Sequence, residues 1–127
     1  MEAIKKTAVY MDHFKANIIE YTNTAAVIKT IRSEFNHLEK ERILQKGESH
    51  LHNKENDMQD VFYKDLREEL LDYDEVLLFG ATTAKTELSN ILKLDNKFIN
   101  VEIIVKNTEK LSDEEQITFV NDCFYIN

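Results

Sequence analysis

The 127-residue sequence has no proline, no tryptophan, two glycines and one cysteine, and no long apolar run. Spanning a bilayer takes about 20 consecutive apolar residues, so no segment reads as a transmembrane helix and no membrane partner is expected. A single cysteine, Cys123, cannot form an internal disulfide, which suits a reducing compartment. With no proline and so little glycine, no stretch reads as a linker, and neither a repeat nor a low-complexity tract breaks the chain. The first residues, Met1-Glu-Ala-Ile-Lys-Lys6, run directly into a strand pattern without a signal-peptide core. A cytoplasmic protein without a cofactor is the expectation.

Positive charge is also scarce. The formal net charge is −8, and non-specific nucleic-acid affinity needs clustered Lys and Arg, so a generic phosphate-binding surface is not expected. The deficit is local, however. From Asp57 to Glu75 eight acids face only Lys64 and Arg67, and the −6 of that segment leaves −2 for the rest. Such a run reads as a solvated acidic helix face, or as a surface for a basic protein partner. The 43% hydrophobic content belongs to a folded chain, and its length to a single domain, 1–127.

Residues 6–12, 14–21 and 25–32 alternate as strands. The breaks between them, at Asp12-His13 and Thr22-Asn23-Thr24, have hairpin length, which predicts an antiparallel meander. From Phe35 to Asn56 the pattern dissolves. This 35–56 stretch contains the other glycine, Gly47, and a structureless segment of that size signals a functional or mobile loop. Within it, a short helix over 38–44 is the only regular element suggested.

Met58, Val61, Phe62, Leu66 and Leu70 then recur at helical spacing, predicting an amphipathic helix over 55–72. The run Glu75-Val-Leu-Leu-Phe-Gly80 reads as a buried strand. Gly80-Ala-Thr-Thr-Ala-Lys85 turns it into a second helix, started by a threonine cap, with Ala84, Leu88, Ile91 and Leu92 on its inner face. Residues 101–105 form the last strand. Ser112-Asp-Glu-Glu115 is a capping box opening a third helix, whose apolar stripe is Ile117, Val120, Cys123 and Phe124. The order βββ-α-β-α-β-α predicts an α/β fold, a ribonuclease H-like mixed sheet with helices packed on it. A ferredoxin-like sandwich, the competing arrangement, needs a helix between the first two strands.

Few residues carry recognisable chemistry. A two-metal nuclease needs converging carboxylates; Asp12 ends the first strand suitably, but the fourth strand ends in Leu78-Phe79-Gly80 and offers none. His50 and His52, with His37 and His13, lack metal-ligand spacing and read as solvated loop histidines. Cys123 sits on an apolar stripe and reads as a small core residue. The Gly80–Lys85 turn offers backbone N–H groups and a lysine to a phosphate, but it lacks the second glycine and the Ser or Thr of a Walker loop.

The layout and motifs resemble the central domain of the archaeal and eukaryotic class I peptide-chain release factors and Pelota, with their compact bacterial relatives. That resemblance rests on Ala8-Val-Tyr-Met-Asp12-His-Phe-Lys-Ala16-Asn-Ile-Ile19, on Val76-Leu-Leu-Phe-Gly80-Ala-Thr-Thr-Ala-Lys85, and on Asn100-Val-Glu-Ile-Ile-Val-Lys106 followed by Lys110-Leu-Ser-Asp-Glu-Glu-Gln-Ile117. The proline and second glycine of the family's Gly-Pro-Gly-like turn are missing. In release factors the loop before the long helix carries Gly-Gly-Gln, which promotes ester hydrolysis in the peptidyl transferase centre. Here the matching stretch, Gln45-Lys-Gly47-Glu-Ser-His-Leu-His52-Asn, has no such motif, and Pelota likewise acts in rescue without it. The resemblance therefore implies a non-catalytic translation protein binding the ribosome or its RNA. Its candidate contacts are Lys40, Arg42, Lys46, Gly47, His50, His52, Lys54 and Lys85. Glu39, Glu41, Glu48 and Glu55 are interleaved with them, so the loop is nearly neutral.

Overall fold

Five strands, three long helices and one 3-10 turn make up the structure, a computed structural model that describes residues 4–33 and 48–125, with 48–58 described by backbone alone. Strands β1 (Lys6–Met11), β2 (Lys15–Tyr21) and β3 (Ala25–Arg32) form the expected antiparallel meander. Helix α1 (Glu48–Leu70) leads to β4 (Glu75–Gly80), then α2 (Ala84–Lys93), a 3-10 turn (Asn96–Phe98), β5 (Glu102–Asn107) and α3 (Asp113–Tyr125). The sheet order is β3-β2-β1-β4-β5, with β4 parallel to both β1 and β5. This is the ribonuclease H-like mixed sheet. A ferredoxin-like sandwich does not fit, because β1 and β2 are joined by a tight turn instead of a helix.

Asp12 explains that turn. Its Oδ1 accepts the backbone N–H groups of Phe14 and Lys15 at 2.7 and 2.8 Å, so Asp12 lies just past β1 and Phe14 just before β2. The side chain mimics a backbone turn, as short carboxylates do.

The central strands are apolar on both faces and are covered on both. Val9, Met11, Ile18, Val76 and Leu78 pack with Phe62, Tyr63, Leu66 and Leu70 of α1 and Ala84, Leu88 and Leu92 of α2. On the opposite face Ala8, Ile19, Leu77 and Phe79 meet Val120 and Phe124 of α3. Four successive side chains of β4, Val76 to Phe79, are essentially fully buried, each stabilising the fold by roughly 1.5–3 kcal/mol. Edge strand β3 is mostly exposed, and a register shift opposite Ile18 and Ile19 leaves Ile28 without a partner in β2. Such a bulge discourages pairing with another chain.

Some local expectations change. Helix α1 is already helical at Glu48, ahead of the expected 55, and ends at Leu70 instead of 72, so the last part of the expected 35–56 loop is helical backbone. The short helix expected over 38–44 lies outside the described residues. Val61 and Ile91, expected on inner faces, are 54% and 42% exposed. The buried stripes are Phe62, Leu66 and Leu70 on one helix and Ala84, Leu88 and Leu92 on the other, both at i, i+4, i+8, with Tyr63, Lys85 and Ser89 flanking them. The last strand runs Glu102–Asn107 instead of 101–105. The capping box holds: Ser112 Oγ accepts the Glu115 N–H at 3.2 Å, and Glu115 accepts the Ser112 N–H at 3.0 Å.

Candidate functional site at the carboxyl end of the sheet

The residues singled out in the sequence are dispersed. Lys40, Arg42, Lys46, Gly47 and His37 lie outside the described residues. His50, His52 and Lys54 are on the first turns of α1, where positions two apart fall on different sides of the axis. Lys85 is 4% exposed and its ammonium donates to the Thr82 carbonyl, with burial pulling its pKa down. Cys123 packs half-buried against the α3 core, and burial pushes its thiol pKa up. The two oxygens of Asp12 do not meet partner acids: among the described residues no three His, Cys, Asp or Glu side chains converge to hold a metal ion.

Two polar clusters do form at the end of the sheet where β1 and β4 finish, one on each face. On the α1/α2 side, Glu87 is the centre. Tyr63 Oη donates to its Oε1 at 2.8 Å and Thr83 Oγ1 to its Oε2 at 3.0 Å, while His13 Nε2 lies 3.0 Å from the same Oε2. Gln59 adds a bond to the His13 carbonyl at 3.3 Å. The carboxylate thus joins the β1–β2 turn, α1 and the first turn of α2. Partial burial alone would raise its pKa, but the hydrogen bonds from His13, Tyr63 and Thr83 outweigh it and hold the pKa below the usual carboxylate value. Burial, then the neighbouring carboxylate, pushes the Tyr63 phenol well above its ordinary range. The expected threonine cap is corrected here: Thr83 precedes α2, but its hydroxyl donates to Glu87 instead of accepting a helix N–H. Thr82 Oγ1 accepts the Ala84 N–H instead, at 3.3 Å.

On the α3 side, Asn17 and Gln116 form the floor of an open cleft of about 450 Å3. Asn17 Nδ2 donates to Gln116 Oε1 at 2.9 Å, and Thr30 Oγ1 donates to Asn17 Oδ1 at 2.9 Å. Gln116 Nε2 donates to the Leu111 carbonyl at 3.1 Å, and Tyr10 Oη accepts the Leu111 N–H at 2.8 Å. Lys15, Lys110, Asp12 and Asp113 stand around the mouth, and Ala81 and Thr82 also line the cleft. Sequence reasoning found neither cluster. A polar Asn17 inside an apolar strand was the available signal, but its partner lies 99 residues away.

Gly80 shapes the floor between these clusters. It has φ +150°, and a Cβ there would sit 2.4 Å from the Met11 carbonyl oxygen. The close approach of β4 to the end of β1 therefore needs glycine.

No protein-family model matches the chain, and no curated protein is similar to it in sequence. Its structure is similar to that of Archaeoglobus fulgidus Pelota, with TM-score 0.62 and 10% identity over 97% of this chain and 32% of that one. It is also similar to Thermoplasma acidophilum Pelota, with TM-score 0.60 and 14% identity over 93% of this chain and 32% of that one. A third similar structure is the archaeal translation termination factor aRF1, with TM-score 0.49, 17% identity, and coverage of 96% and 39%. The chain spans about a third of the length of the Pelota proteins. The chain has a Pelota-like fold.

Proposed function

We propose that this chain is a non-catalytic, release-factor-like translation protein that binds the ribosome or its RNA in rescue, hibernation or a related stress role. The likeness of fold to two Pelota structures over nearly the whole chain carries this reading. The contacts of this reading are Lys40, Arg42, Lys46, Gly47, His50, His52 and Lys54 of the 35–56 segment. Lys85 is not among them, because its ammonium is turned onto Thr82 inside the structure. Ester hydrolysis is not part of the proposal, since the segment has no Gly-Gly-Gln.

Sedimentation through sucrose gradients tests it. The protein should travel partly with ribosomes at low salt and leave them at moderate salt, since few cations compete with many acids. Absence from ribosomes at both salt levels, in growing and in starved cells, would sink the proposal. The acidic 57–75 segment favours the second reading, a protein-interaction module that keeps the fold and binds a basic partner. Asp60 and Asp65 stand exposed on α1, while Arg67 is committed to Asp95 and Glu68.

A further inference from the structure

The cleft on the α3 side has no part in that proposal, and its lining is chemically specific. Asn17 and Gln116 are only 6% and 3% exposed, yet both border the open volume. A carboxamide offers two N–H donors and an oxygen with two lone pairs. Gln116 uses its amide nitrogen on the Leu111 carbonyl and, at 3.5 Å, on Asp113. Asn17 spends one N–H on Gln116 Oε1 and accepts from Thr30. Among the described residues, these bonds leave the second N–H of Asn17 beside a lone pair of Gln116 Oε1. A neighbouring donor and acceptor is the complement of a nucleobase edge, which presents an acceptor next to a donor.

The mouth carries both signs. Lys15 and Lys110 offer ammonium groups, while Asp12 and Asp113 offset them. Asp12 already accepts two turn N–H groups through Oδ1, so its charge is partly neutralised there. A simple anion gains little from such a mouth. A ligand with an anionic group and separate hydroxyl or amine donors can use both signs at once. The volume lies within the range of small-molecule sites, about 300–1,000 Å3.

We propose that this cleft binds a mononucleotide, with the base edge on Asn17 and Gln116, the phosphate toward Lys15 and Lys110, and the sugar hydroxyls toward Asp113. The shared chemistry is a nucleoside monophosphate unit, supplied either free or as an unpaired residue of single-stranded RNA. The assignment stands apart from the ribosome reading, because it uses neither the 35–56 segment nor the acidic face of α1.

NMR titration of the intact chain tests it, with 5′-AMP, 5′-GMP, 5′-CMP, 5′-UMP, ribose 5-phosphate, inorganic phosphate and a short single-stranded RNA as probes. At least one mononucleotide should shift the side-chain NH2 signals of Asn17 and Gln116 saturably at millimolar concentration, and ribose 5-phosphate should not. In the double variant Lys15→Ala, Lys110→Ala the dissociation constant should rise by about tenfold or more, as loss of charge-assisted hydrogen bonds implies. Both lysines lie at the cleft mouth outside the core, so the variant keeps its fold, which the same spectra report. Tighter binding of the RNA assigns the site to a nucleic-acid end; equal or tighter binding of the mononucleotide assigns it to a free nucleotide. The proposal is overturned if no nucleotide or RNA shifts those amides saturably. An equal response to inorganic phosphate alone, or unchanged affinity in the double variant, overturns it as well.

Discussion

The two polar clusters occupy the same end of the same sheet and have opposite characters. On the α1/α2 face a single carboxylate, Glu87, is met by Tyr63, Thr83 and His13 from three different elements. Three donors already engage it, and the cluster acts as a joint. On the α3 face two carboxamides bond to each other and to Thr30 and Leu111, and still have capacity left. That cluster borders open volume. A carboxylate only accepts, so it draws donors from several elements onto one point. A carboxamide both donates and accepts, so a pair of them can be internally satisfied and still present an edge.

The comparison can be broken most severely at Gly80. Gly80→Ala places a methyl group against the Met11 carbonyl at a backbone angle that suits glycine. Because β1 ends there and leads into Asp12 and His13, both clusters should be disrupted together, with a loss of roughly 3 kcal/mol or more. Urea unfolding measures this, and a variant within about 0.5 kcal/mol of the parent would refute the close-approach argument.

A more selective change is Gln116→Ala, which removes the acceptor of Asn17 and the donor to Leu111 inside the structure. It should cost about 2 kcal/mol, the scale of buried polar groups left without partners. The Glu87 joint should be untouched, so the Tyr63 ring signals in an NMR spectrum should stay where they are. Movement of those signals would show that the two faces are coupled.

The smallest expected effect is at the joint itself. Glu87→Gln should cost about 1 kcal/mol at neutral pH, since the side chain is nearly half exposed and an amide keeps some of the bonds. Its pH dependence has a definite sign. The folded state holds Glu87 below its ordinary pKa, so the contribution is complete above about pH 4.5 and fades as pH falls through the folded value. The stability gap between parent and variant should therefore shrink in acid. A gap that stays constant down to about pH 3 would mean that the hydrogen bonds to Glu87 do not depend on its charge.

Much of the architecture was legible in the sequence because it is local. The run Val76-Leu-Leu-Phe79 announces a strand buried on two faces, and Ser112 with Glu115 announces a helix start through atoms three residues apart. The hairpin breaks at Asp12 and Thr22 are equally local. The helical backbone over Glu48 to Glu55 was not legible, because Leu51 is its one apolar residue and leaves no periodicity to read. Val61 and Ile91 look like core residues by type, but each helix buries only a narrow stripe and the neighbouring strands decide which one. Lys85 is the converse: a lysine reads as solvent-facing, yet its place on α2 turns it inward onto Thr82.

What the sequence determined alone was the order of elements, the mixed character of the sheet and the absence of Gly-Gly-Gln in the segment after β3. Periodicity, turn chemistry and motif content are short-range and need no knowledge of neighbours. Only the tertiary structure decided that His13, Tyr63 and Glu87 meet, and that Asn17 finds Gln116 across 99 residues. The reason is geometric. Parallel placement of β4 beside β1 brings their carboxyl ends together, and the helices that follow or cross those ends carry in partners that no spacing along the chain predicts.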